Sequence, residues 1–96
     1  MLENLALTDF EPYLDTPMVF RAANAEFSLT LAEALPLKQP SPRPVAPFRL
    51  TFRSPERYRV PQGLYELQHP QHGPIQLMMV PLQPDAHGAL FEVIFN

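Results

Sequence analysis

Apolar and polar residues alternate with a period of two along most of the chain. The clearest case is 48–53, where three apolar residues alternate strictly with three polar ones. This alternation is typical of a β-strand with one buried face. The same pattern predicts strands at 18–22, 26–35, 64–69, 75–82 and 89–95. We therefore expect about six strands, joined mostly by hairpins.

The last two predicted strands are apolar on both faces. A strand of this kind is normally covered on both sides. We therefore expect their second face to meet either the N-terminal segment or another subunit. The opposed sets are Ile75, Leu77 and Met79 against Met78, Val80 and Leu82, and Phe91, Val93 and Phe95 against Leu90 and Ile94.

Residues 1–15 predict a short helical segment. Thr8 and Glu11 have the spacing of a capping box, and Pro12 limits the helix to a turn or two. The segment carries too many apolar side chains for a solvated arm, so we expect it to pack on the outer face of the sheet. The predicted fold class is mainly all-β: a small antiparallel barrel or sandwich with a short N-terminal helix packed on it.

A proline-rich segment divides the predicted strands. Five of the twelve residues at 36–47 are proline, which fixes φ and removes backbone donors, so a loop is expected there. Residues 38–46 should be the most mobile part of the molecule, because a backbone without ladder hydrogen bonds has little to hold it. The chain of 96 residues is short enough for a single domain, 1–96.

Composition excludes several classes of protein. The chain has no cysteine, which rules out disulfides, thiol nucleophiles and zinc–cysteine sites. The first fifteen residues hold four acids and no Lys or Arg, unlike a signal peptide, and the longest uncharged apolar stretch is too short for a membrane helix. We expect a cytoplasmic protein that does not enter a membrane.

The net charge of −3 hides an uneven distribution. Residues 1–37 are acidic, 38–60 hold six bases and one acid, and 61–96 are acidic again. Arg49 and Arg53 should project from one face of one strand. Stripes of this kind bind phosphates or acidic proteins, but cross-strand ion pairs, here with Glu26, Glu66 or Glu92, are their common fate. The candidate partner-binding residues are Arg49, Arg53, Arg57, Tyr58 and Arg59.

The histidines raise a metal hypothesis that the spacing argues against. His69 and His72 precede the predicted strand 75–82, whereas Asp85 and His87 follow it, so the two pairs should lie roughly 25 Å apart. Four ligands about 2 Å from one ion cannot come from both pairs. The chain also lacks a Gly-x-Ser-x-Gly elbow and a glycine-rich phosphate loop. We expect no metal, no cofactor and no enzymatic activity.

Both ends of the chain carry a recognisable set of residues. They are Leu5, Leu7 and Phe10-Glu11-Pro12, then Gln62-Gly63-Leu64-Tyr65, Leu67, His69-Pro70, Gly73, Val80-Pro81, Pro84-Asp85, Gly88, Glu92 and Phe95-Asn96. In these residues the chain resembles a family of small bacterial proteins classified only as a domain of unknown function. The sequence differs from that family's usual pattern at Ser54-Pro55 and at Phe91. The resemblance implies no assigned activity, and it implies genes that often lie near those of phage tail-collar-like proteins.

Two functional hypotheses follow. The first is a non-catalytic structural or protein-interaction module, related to a phage-tail-like assembly, whose partner is a second copy or a tail-type protein and not nucleic acid, since the net charge is negative. The alternative is a small-molecule binder that uses a barrel mouth lined by Phe, Tyr and Met.

Overall fold

A computed structural model describes residues 5–23, 25–38, 45–54 and 61–96. Neighbouring strands are antiparallel and close a barrel in the order β1-β2-β3-β6-β5-β4. The predicted class, mainly all-β with an antiparallel barrel, is confirmed. In the described residues the elements are two 3₁₀ turns, Leu7–Asp9 and Glu11–Tyr13, and the strands β1 (Pro17–Ala22), β2 (Ala25–Pro36), β3 (Phe48–Ser54), β4 (Gly63–His69), β5 (Gly73–Pro81) and β6 (Ala89–Phe95).

The strand directions define two ends of the barrel. At the proximal end β1, β3 and β5 begin and β2, β4 and β6 end; at the distal end the reverse holds. The hairpin turn between β4 and β5 is therefore proximal, and the segment between β5 and β6, residues 82–88, is distal. No helical segment in the described residues is long and apolar enough to span a bilayer.

The barrel interior is filled by alternate side chains of all six strands. Phe48 and Phe95 stack with ring centroids 4.5 Å apart, and Phe20 meets Phe52 edge-on at 5.0 Å. Each fully buried side chain of this size contributes about 2 kcal/mol of transfer free energy. The largest of them, all under 2 % exposed, are Phe10, Phe20, Phe48, Phe52 and Phe91.

The N-terminal segment closes the proximal end of the barrel. Phe10 is fully buried, and its ring centroid lies 5.7 Å from that of Phe48 and 5.5 Å from that of Phe95, both inward-facing residues at the proximal rim. The expectation that this segment packs on the outer face is wrong. The rings of Phe48 and Phe95 form an apolar surface at the rim, and Phe10 is completely removed from water when it packs against them.

The local structure of this segment also differs from the prediction. Two 3₁₀ turns replace the helix capped by Thr8 and Glu11. Instead, the Ala6 amide donates a hydrogen bond to Asp9 Oδ2 at 2.8 Å, so Asp9 occupies the role expected of Glu11.

The strand bounds agree closely with the alternation pattern. β2 is one residue longer at each end than the predicted strand 26–35. It ends at Pro36, which pairs with Phe48. Leu37 then donates to the Pro47 carbonyl at 3.0 Å. Residues 39–44 of the proline-rich segment lie outside the described residues, so the expected mobility of 38–46 stays a prediction.

Candidate functional site

The predicted arginine stripe lies on the outer face of β3. Arg49 and Arg53 flank Thr51, which is only 6 % exposed although it faces outward, because the neighbouring side chains cover it. Their strand partners on β6 are Ile94 and Leu90. Arg57, Tyr58 and Arg59 lie outside the described residues, so their part of the stripe stays a prediction.

The two arginines are held very differently by neighbouring acids. Arg53 Nη2 donates to Asp85 Oδ2 at 2.7 Å, whereas Arg49 Nη1 lies 3.7 Å from Glu92 Oε2, beyond hydrogen-bond distance. The hydrogen bond from Arg53, followed by that from the His87 amide, lowers the pKa of Asp85. The expected cross-strand ion pair with Glu92 is present at Arg49, but its N···O distance of 3.7 Å makes it a weak contact.

The other expected acidic partners pair elsewhere. Glu26 accepts a hydrogen bond from Arg21 Nε at 2.8 Å across the β1–β2 hairpin, and Glu66 accepts from Gln68 at 2.7 Å on its own strand. The contact between Arg53 and Asp85 joins residues 32 positions apart. Sequence reasoning missed it because Asp85 lies in the turn between β5 and β6, whose direction alternation does not predict.

An apolar stripe covers the outer face of β4, β5 and β6. Leu64 pairs with Met78, and the Leu82 amide donates to the Leu90 carbonyl at 2.8 Å, so apolar side chains lie on all three strands. Glu92, which pairs with Val80, interrupts the set on β6 between Leu90 and Ile94. We define the apolar stripe as Leu64, Met78, Val80, Leu82, Leu90 and Ile94.

The exposure of this stripe is large for apolar side chains. Leu64 is 65 % exposed, Met78 48 %, Ile94 41 % and Leu82 38 %; Val80 and Leu90 are half-buried. The sequence predicted the part of this surface on β5 and β6, because both strands are apolar on both faces. It did not predict Leu64. The N-terminal segment, one of the two expected covers, lies at the proximal end instead.

A shallow groove lies beside the stripe on the outer face of β1, β4 and β5. Its volume is about 370 Å³, and Leu64 stands between it and the rest of the stripe. The groove is lined by both polar and apolar groups: Arg21, Ala22, Ala23, Leu64, Glu66 and Gln76.

His69 joins the N-terminal segment to the β4–β5 hairpin. Its ring is almost completely buried, with Phe10 and Tyr13 packed edge-on against it at centroid distances of 5.2 Å each. Nδ1 accepts hydrogen bonds from the amides of Gln71 at 3.1 Å and His72 at 3.2 Å. Nε2 therefore carries the proton and donates to the Asp9 carbonyl at 2.7 Å.

A second histidine strengthens the same junction. His72 Nε2 lies 3.0 Å from Asp9 Oδ1, and Asp9 Oδ2 accepts from the Ala6 amide. The backbone hydrogen bond from Ala6, and then the hydrogen bond and charge of His72, lower the pKa of Asp9 below its usual value. All these groups bind one segment of the chain to another.

The two pairs of potential metal ligands lie at opposite ends of the barrel, as predicted. His69 and His72 are proximal, Asp85 and His87 are distal, and the nine residues of β5 separate them. Within the described residues, no three His, Asp or Glu side chains come together in an arrangement that could hold a metal ion.

The comparison with protein families places the chain. The model of a domain of unknown function, DUF6916, matches residues 5–95. The chain belongs to this family. The match spans the two 3₁₀ turns and all six strands. No curated protein and no solved structure matches the chain.

Proposed function

We propose that this protein is a non-catalytic interaction module that binds a protein partner through the apolar stripe. The observation that carries the proposal is the exposure of four large apolar side chains on the outer side of β4, β5 and β6 and the residue after β5, with Leu64 at 65 %. In a chain with only −3 net charge, a face of this kind is a liability in water unless a partner covers it.

The energetics favour a protein partner. Apolar area removed from water contributes about 25 cal/mol per Å², and stable interfaces bury roughly 800 Å² on each partner. Interface centres are rich in apolar groups, Met and Arg, and poor in other charged residues. β5, at the centre of the stripe, carries no charged side chain, and Arg49 lies at its border next to Ile94.

The packing of the interior favours this surface over a ligand inside the barrel. Aromatic side chains fill the barrel interior both at the proximal rim, where Phe48 stacks on Phe95, and farther inside, where Phe20 packs against Phe52. Phe10 fills the proximal mouth. A small-molecule binder of this size normally keeps a largely preformed apolar pocket of several hundred Å³. We assign the shallow outer groove to neither role.

The non-catalytic part of the proposal rests on the bonds of the acidic and histidine side chains. Asp9, His69 and His72 are committed to the junction at the proximal end, and Asp85 to Arg53 and the His87 amide. Catalytic acids and bases instead need access to a substrate in a cleft. We further propose a cytoplasmic protein whose partner belongs to a phage-tail-like assembly, which the resemblance at both ends of the chain supports.

Site-specific photo-cross-linking in the native host tests the proposal. A photoreactive side chain is placed at Leu64 or Ile94 in the stripe, and at Ser28, an exposed position on β2, as the control. We expect one discrete cross-linked protein from both stripe positions and none from Ser28. Equal cross-linking at all three positions, or none at Leu64 and Ile94, would contradict the proposal.

The identity of the cross-linked protein tests the finer statements. A tail-type structural protein supports the assembly context. An unrelated protein leaves the interaction module in place and removes that context. A small molecule retained by the purified protein in native mass spectrometry, with no cross-link, would favour the ligand-binding alternative.

A further inference from the structure

Arg49 stands at the border of the apolar stripe with apolar neighbours on both sides. Its strand partners are Ile94 on β6 and Leu35 on β2, and each of them is 41 % exposed. The side chain of Arg49 is itself 36 % exposed. A cation is therefore presented to the solvent between two apolar side chains.

The guanidinium of Arg49 is poorly satisfied within the chain. Nη1 lies 3.7 Å from Glu92, too far for a hydrogen bond, and in the described part of the chain Nε is buried with no acceptor in reach. Arg53, four residues along the same face, also has an unpartnered Nε, but its Nη2 is anchored to Asp85 at 2.7 Å. Both Nε atoms are buried, so a partner can reach only the terminal nitrogens of the two guanidinium groups. Arg53 already donates from Nη2 to Asp85, whereas Arg49 Nη1 has, among the described residues, only the long contact with Glu92, so Arg49 gains more than Arg53 from an added acceptor.

We propose that Arg49 binds a carboxylate of the partner, so that the segment covering the apolar stripe carries an Asp or Glu next to its apolar side chains. This inference rests on the proposed function. A carboxylate matches the guanidinium fork, since two parallel N–H···O bonds can form, and partial desolvation by Ile94 and Leu35 strengthens them. Glu92 Oε2 lies 3.7 Å from Nη1, too far to hydrogen-bond to it.

The surroundings of Arg49 favour a carboxylate over a nucleic-acid phosphate. Glu92 faces the same patch, and Glu33 is exposed on β2 beside Thr51, so a polyanion would meet two acids there. The neighbouring cation, Arg53, is neutralised by Asp85. A single carboxylate meets less of this repulsion than a polyanion does, and its apolar flanks can contact Leu35 and Ile94.

NMR titration of the ¹⁵N-labelled full chain tests the inference. The probes are the capped tripeptides acetyl-Leu-Glu-Leu-amide and acetyl-Leu-Gln-Leu-amide, which differ only in the carboxylate, and the single-stranded hexamer of thymidylate. We expect the Glu peptide to shift the Arg49 Nε–H and Ile94 amide resonances, and to bind about tenfold more tightly than the Gln peptide. The Arg53 Nε–H resonance should move little.

Two variants with the same change in net charge identify the residue responsible. Arg49→Gln should remove the tenfold preference, whereas Lys38→Gln, which alters an exposed cation beyond the end of β2, should keep it. Arg49→Lys keeps the charge but not the fork, and should reduce the preference to under about threefold. Unchanged amide spectra elsewhere show that each variant is folded.

Several results would overturn the inference. Equal binding of the two peptides, an undiminished preference in Arg49→Gln, tighter binding of the thymidylate hexamer, or no shift of Arg49 by any probe would each do so. If the resonances of the apolar stripe still shift, equal binding of the two peptides or an undiminished preference in Arg49→Gln would refute only the role of Arg49 and would leave the apolar stripe as a docking surface. Failure of the proposed function is recognised separately, by the absence of cross-links at Leu64 and Ile94.

Discussion

At the scale of single residues, a few polar groups and one glycine fix the proximal end of the barrel. Asp9 bonds to Ala6 on its own segment and to His72 on the β4–β5 turn, while its carbonyl accepts from His69. The turn itself ends at Gly73, whose φ of 73° lies in the left-handed region. Conservative substitutions at these positions should therefore lower the free energy of unfolding measurably.

Gly73→Ala should lower the free energy of unfolding by about 1 kcal/mol, because an L-residue is strained at this positive φ. No heavy atom lies within 4 Å of the position a Cβ would take, so the cost is one of backbone conformation and not of contact. Gly63→Ala is the control: its Cβ would meet Tyr65 Cε2 at an ordinary 3.8 Å. Urea denaturation measures both variants. Equal effects would mean that the backbone strain at Gly73 is negligible.

Asp9→Asn should destabilise the protein by about 1 kcal/mol at pH 7, because it removes the charge that binds His72 and accepts from Ala6. The pKa of Asp9 is lower in the folded chain than in the unfolded one. Its contribution is therefore complete above the unfolded pKa, about 3.9, and is lost as the pH falls through the folded pKa. The difference from wild type should shrink in urea melts as the pH falls below about 4. Glu33→Gln, on the exposed face of β2, serves as the control; a difference for Asp9→Asn that grows on acidification would reverse the sign.

At the scale of elements, the strands follow from alternation but the N-terminal segment does not. The 2.0-residue period places Phe48, Leu50 and Phe52 inside and Arg49 and Arg53 outside without further information. The location of residues 5–16 depends on where Phe10 finds an apolar opening, and that opening exists only after Phe48 and Phe95 meet at the rim. Tertiary packing, which no local pattern encodes, therefore decided the one element placed wrongly.

Phe10→Ala should cost about 3–5 kcal/mol of stability, the usual loss for a fully buried aromatic ring. The cavity would open the proximal end, so binding of a hydrophobic dye in the folded state should rise with it. Leu14→Ala, at a position 39 % exposed on the same segment, should cost under about 0.5 kcal/mol. If thermal unfolding shows similar small losses for both variants, the segment does not close the barrel.

At the scale of the whole molecule, closure of the barrel fixes which surfaces remain for a partner. The pairing of β3 with β6 and of β1 with β4 brings together residues 35 or more positions apart, and the sequence pattern allowed a sandwich equally well. The outward direction of Arg49 was predictable from its strand. Its position between Leu35 and Ile94 was not, because that requires the register of three strands.

Replacing Leu64, Met78 and Ile94 together by Gln should raise solubility while leaving folding nearly unchanged. The three side chains are 41–65 % exposed, so the free energy of unfolding should change by under about 1 kcal/mol. Net charge stays at −3, so a higher ammonium sulfate concentration at precipitation reports the loss of apolar surface alone. Ser28→Gln, an exposed polar position on β2, should precipitate like wild type. A loss of several kcal/mol in the triple variant would instead mean that the stripe is part of the hydrophobic core, and the surface we assign to a partner would be covered by the chain itself.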